Sequence, residues 1–155
     1  MELLCYSAVG SAIRRQSILK KHRHSNGLKD SSGWSEQIDG CGGELAVAKG
    51  LNLYWSPGEG VFKAPDVAQY QVRCTGYSNP ELWVRPDESD TDIFILVHRI
   101  DAMQFRLVGW ETGRAVKDLG KLTDHGNGRP PIYYLSGSKL KGIDRLAEKR
   151  LQVNQ

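Results

Sequence analysis

The chain has 155 residues, 39% of them hydrophobic, with 21 basic and 18 acidic side chains and a net charge of +3. That length suits a single domain with one core, and the charge is too small to mark a nucleic-acid binder by composition alone. No stretch approaches the run of about 18 apolar residues that a membrane helix needs. The N-terminus lacks the charged-then-apolar order of a secretory signal, so a cytoplasmic protein is expected. Cys5, Cys41 and Cys74 are widely spaced and odd in number. They imply reduced, mostly buried thiols rather than a disulfide framework.

Residues 3–23 read as a helix, with Cys5, Val9, Ala12, Ile13 and Leu19 near one face and basic residues in its last turns. Residues 24–33 are turn formers and predict a loop. A second helix follows over 34–50, where Trp34, Ile38, Cys41, Leu45 and Ala48 recur at spacings of four and three. Gly40, Gly42 and Gly43 inside it mean either that the helix starts near Gly43 or that the glycines permit close packing.

Strand patterns begin at residue 51. Leu53–Trp55 and Val61–Lys63 flank the turn signal Ser56-Pro57-Gly58-Glu59-Gly60. In Tyr70–Thr75, alternation sends Tyr70, Val72 and Cys74 one way and Gln71, Arg73 and Thr75 the other. Leu82–Arg85 is short. Ile93–Val97 is an unbroken apolar run, expected to be a central strand buried on both faces. Phe105–Trp110 and Ile132–Leu135 complete the set, and residues 137–151 predict a closing basic helix. Helices followed by strands give an α+β fold with a mixed or antiparallel sheet. One domain is expected over 1–155: a helix and basic loop over 1–33, a core over 34–135, and a basic tail or helix over 136–155.

One constellation carries chemistry. Asp66 precedes a strand whose residues Gln71 and Arg73 share a face, because strand side chains repeat with period two. Glu44 borders the apolar stripe of the preceding helix and can turn toward that strand. Hard divalent cations take oxygen ligands, and a bound metal polarises a phosphate while lowering the pKa of the attacking water. Asp66 and Glu44 would supply carboxylates, Gln71 a neutral amide oxygen, and Arg73 a cation for the charge developing on phosphorus.

The order Glu44, Pro65-Asp66, Gln71-Val72-Arg73 resembles the PD-(D/E)XK nuclease superfamily. Gly43 to Lys49, Leu53-Tyr54-Trp55, Asp66-Val67 and Gly109-Trp110 resemble a group of phage-type proteins over roughly residues 34–135. The resemblance implies a mixed central sheet flanked by helices, as in restriction endonucleases, with a DNA substrate and Mg²⁺ or Mn²⁺ held by Asp66, Glu44 and Gln71. Glu44 matches the helix acid, Asp66 the aspartate, Gln71 the acid of the strand motif and Arg73 its lysine. Two positions depart from the pattern: Gln71 replaces an acid, and Arg73 replaces a titratable lysine with a permanent cation. The expected function is a phage-encoded, metal-dependent deoxyribonuclease in the host cytoplasm, and cutting both strands with one site per chain calls for a homodimer. The alternative is a catalytically inactive nuclease-like module that binds DNA or a host protein.

The remaining signals have plainer readings. Basic residues crowd both ends and acids gather at Asp87, Glu88, Asp90 and Asp92. His22 and His24 suit a solvated basic turn, and Cys74 falls on the core face opposite Arg73. No Ser-His-Asp order, phosphate-binding glycine loop or dinucleotide fingerprint is present.

Overall fold

The computed structural model describes residues 2–20, 30–57, 64–126, 128 and 130–146. Helices α1 (Glu2–Lys20) and α2 (Asp30–Gly50) come first, followed by β1 (Tyr70–Thr75), β2 (Glu81–Val84), β3 (Ile93–Arg99) and β4 (Phe105–Thr112). A short helix α3 (Gly113–Leu119), β5 (Lys121–Thr123) and β6 (Ile132–Ser136) complete the elements, with a 3₁₀ turn over Gly137–Lys139. The fold is α+β. No helix among the described residues is long and apolar enough to cross a membrane.

Two three-stranded sheets share the core. The first is mixed, in the order β1-β3-β4, with β3 parallel to β1 and antiparallel to β4. The second, β2-β6-β5, is antiparallel throughout. Strand β3 explains how they stack. Its side chains alternate between faces, so Ile93, Ile95 and Val97 pack with α2, whereas Phe94 and Leu96 pack with Leu82, Val84, Val116 and Leu135. Phe94, Ile95, Leu96 and Val97 are all fully buried, each contributing about 1.5–3 kcal/mol of hydrophobic stabilisation. The apolar run is therefore the middle layer of the molecule, with α2 on one side and the second sheet with α3 on the other.

Helix α2 starts at Asp30, so residues 30–33 are helical where a loop was expected; Asp and Ser suit a helix's opening turn as well as a loop. The glycines permit close packing. A Cβ on Gly42 would lie 2.5 Å from the Phe105 ring, and one on Gly43 would lie 2.8 Å from Cys74 Cβ. Gly43→Val is accordingly expected to destabilise the fold by about 1–3 kcal/mol through overpacking. Urea denaturation reads this as a lower midpoint at constant slope, and an unchanged midpoint would contradict it.

The buried face of α1 differs from the expected one. Cys5 and Val9 are exposed, and it is Ser7, Gly10 and Ser11 that are buried. Their small size lets the helix lie close: a Cβ on Gly10 would meet the Trp55 ring at 2.5 Å. Ser11 Oγ donates to Ser7 O at 2.6 Å and Ser7 Oγ donates to Leu3 O, so the hydroxyls are satisfied within the helix.

Other boundaries also shift. Leu53–Trp55 forms no strand, and Val61–Lys63 and residues 21–23 lie outside the described residues. In place of one helix over 137–151 there is the 3₁₀ turn, a bridge from Lys141 to Trp110 and a helical stretch at 143–146, with 147–151 outside the described residues. Helix α3 and β5 were not expected. The helix has seven residues and buries only Gly113 and Val116, too few for a periodic signal, although Thr112 caps it by accepting from Ala115 N–H at 3.3 Å.

Candidate functional site

Asp66 stands at the entrance to β1, where the chain folds back on itself. The N–H groups of Asp66 and Val67 donate to Tyr70 O at 2.9 and 3.1 Å, and Tyr70 N–H returns to Val67 O at 2.9 Å. The turn runs through Ala68, whose φ of 51° lies in the left-handed region that side chains disfavour. This reversal brings Val72 N–H onto Asp66 Oδ2 at 2.8 Å. The carboxylate thus satisfies a backbone donor of β1.

Arg73, on the face of β1 away from α2, is buried. Its Nη2 donates to Glu88 Oε1 at 2.5 Å and its Nη1 to Val72 O at 3.2 Å, with Nη1 also 3.9 Å from Asp66 Oδ2. The guanidinium carbon lies 4.3 Å from the Trp83 ring centroid and 5.0 Å from that of Phe94. Glu88 is fixed in turn, because its Oε2 accepts Arg85 N–H at 2.7 Å. Arg73 Nε alone has no hydrogen-bond partner among the described residues.

Glu44 is 5% exposed and lies on the α2 side of β1. Its carboxylate meets Arg14 in a bidentate pair, Nη1 to Oε1 at 2.7 Å and Nη2 to Oε2 at 2.6 Å. Trp55 Nε1 adds a third bond to Oε2 at 2.8 Å. Arg14 Nε is also engaged, on Pro57 O at 2.6 Å. Burial pushes the Glu44 carboxyl up from its usual range, with Asp66 adding to the rise and Arg14 and Trp55 opposing it. The Asp66 carboxyl is likewise raised, chiefly by burial and further by Glu88, against Val72 N–H, Arg73 and Arg14. A buried carboxylate and a half-buried one therefore share one neighbourhood, and guanidinium groups compensate both.

The four residues singled out by sequence are only partly brought together. Asp66 and Arg73 are neighbours, and Glu44 lies within the electrostatic reach of Asp66. Gln71 is half-buried opposite Phe94 and leaves β1 on the Arg73 face, away from the helix that carries Glu44. Its amide makes no hydrogen bond among the described residues. The same period of two that pairs Gln71 with Arg73 separates both from Glu44.

A divalent metal does not fit this arrangement. Both Glu44 oxygens already accept from Arg14, so an Mg²⁺ or Mn²⁺ ion there would stand against a fixed positive charge. Among the described residues no group of three or more His, Cys, Asp or Glu is placed to hold a metal. His22 and His24 lie outside the described residues. Asp90, in the acidic loop, accepts from Lys117 at 2.8 Å and faces Arg114 at 3.5 Å, which accounts for it structurally. The Cys74 thiol, beside Gly43, is pushed by burial up to about 12, which leaves it protonated.

Arg14, Trp55, Glu88 and Trp83 complete this cluster and were not legible as a group. A signal did exist for Arg14: Ser7, Gly10, Ser11 and Arg14 recur at spacings of three, one and three, a small-residue stripe ending in a cation. Nothing local marks Glu88 as the partner of Arg73.

No family model, no curated protein and no solved structure matches the chain. The likeness to the nuclease superfamily therefore rests on residues 44, 66, 71 and 73 and the pattern around them.

Proposed function

We propose that the chain is a nuclease-like module that cuts nothing and acts by binding a protein partner. The observation that carries this reading is the bidentate Arg14–Glu44 pair, which puts a guanidinium where a metal-dependent nuclease needs a cation with open coordination positions. Arg73 supports it from the other face. A cation that is to steady a developing phosphate charge must present its donors to the substrate, and Arg73 is turned inward onto Glu88, Val72 O, Trp83 and Phe94.

At the candidate site the cations favour a protein partner over DNA. Arg14 pairs with Glu44, and Arg73 pairs with Glu88 and faces Asp66. Phosphate-backbone binding draws on cations that are free to replace counterions.

Purified protein is expected to leave duplex, single-stranded and branched DNA intact with either Mg²⁺ or Mn²⁺, as read on denaturing gels. Metal-dependent cleavage that disappears in Asp66→Ala would overturn the reading and restore the deoxyribonuclease. The neighbouring Glu44 and Asp66 carboxylates are the observation that favours that second reading. For it, Arg14 would first have to leave Glu44.

A further inference from the structure

Near the C-terminal end of β1, the seam between the two sheets opens into a cleft of about 590 Å³, a size typical of ligand sites. Its floor follows from register. Trp83 and Tyr134 are direct cross-strand partners on β2 and β6. Their neighbours Leu82, Val84 and Leu135 are buried in the core, so alternation turns Trp83 and Tyr134 outward. Tyr77, 81% exposed, stands at the rim.

The charges around these rings are unbalanced. Arg99 is the one cation among the described lining residues, and Asp39 faces its Nε at 3.1 Å. Glu36 and Glu81, both lining the cleft, form neither an ion pair nor a side-chain hydrogen bond among the described residues. Trp83 already stacks on Arg73 and Arg85, and Tyr134 meets His125 edge to face with its hydroxyl 2.9 Å from His125 Nε2, leaving Tyr77 as the open ring. A phosphate would meet two unpaired carboxylates. An apolar ligand would strip water from them without replacement. A guanidinium satisfies both features, through charge-assisted hydrogen bonds and contact with a ring face.

We propose that this cleft binds an arginine-bearing segment of a partner protein, held by Glu36 and Glu81 and by the ring of Tyr77. The site is separate from the Arg14–Glu44 pair. A cutting chain could carry the same cleft, so the DNA assay and the test below fail independently.

The probe is a capped hexapeptide of alternating glycine and arginine, titrated calorimetrically into the full chain, with a glutamine-for-arginine peptide and hexathymidylate as controls. The arginine peptide alone is expected to bind. Affinity should fall at least about tenfold in the Glu36→Gln, Glu81→Gln double variant, since two charge-assisted contacts are lost. It should fall about two- to fivefold in Tyr77→Ala. All three side chains are exposed, so the fold should persist, with circular dichroism as the check. No heat with the arginine peptide, equal affinity in the double variant, or displacement of the peptide by hexathymidylate would each overturn the proposal.

Discussion

Arg14→Ala is expected to lower the unfolding free energy by about 3–5 kcal/mol, the loss typical when one partner of a buried ion pair is removed. Glu44 is almost wholly enclosed, and both its oxygens depend on Arg14. Without the guanidinium only Trp55 Nε1 remains on the carboxylate, and the group must either take up a proton or stay charged in a poor environment. The second carboxylate at Asp66 worsens the position, because it raises the Glu44 pKa and loses the same compensating charge. Urea denaturation measures the loss. Adding Glu44→Leu to Arg14→Met should recover most of it, because an apolar pair of similar volume can replace a buried ion pair. A loss below about 1 kcal/mol, the range of solvated pairs, would mean that Arg14 is not the internal cation described here.

Arg73→Met is the second large effect, again about 3–5 kcal/mol. Methionine keeps much of the stem volume against Trp83 and Phe94 but abandons Glu88 and Asp66 without their cation. Arg73→Lys separates charge from shape. An ammonium keeps the charge yet cannot lie flat on two rings while donating to Glu88 and Val72 O, so its loss should fall between those of Met and the unaltered chain. Equal stability of all three proteins would contradict the packing role assigned to Arg73.

The fold could be read from the sequence where one physical signal acted alone. Ile93–Val97 is apolar on both faces because two layers cover it, and that needs no partner to be known. Tyr70–Thr75 matched its strand residue for residue, since alternation and a preceding turn bounded it. The glycines of α2 could not be resolved in advance because their meaning lies in Phe105 and Cys74, which arrive from other elements. The face of α1 was misread for the same reason: Val9 and Ile13 are more apolar than Ser7 and Ser11, yet close approach to Trp55 rewards small size over hydrophobicity. At the site, the motif identified the acids and the arginine but not their partners. Arg14 pairs with Glu44 across 30 residues and Arg73 with Glu88 across 15. Those choices turned a set of metal-ligand types into two internal ion pairs.

Arg14 serves as the cation of the acid pair. Calorimetric titration of Mn²⁺ into the unaltered chain and into Asp66→Ala tests it most directly. No Asp66-dependent heat is expected, and the two titrations should superimpose. A stoichiometric Mn²⁺ site in the unaltered chain that vanishes in Asp66→Ala would contradict it.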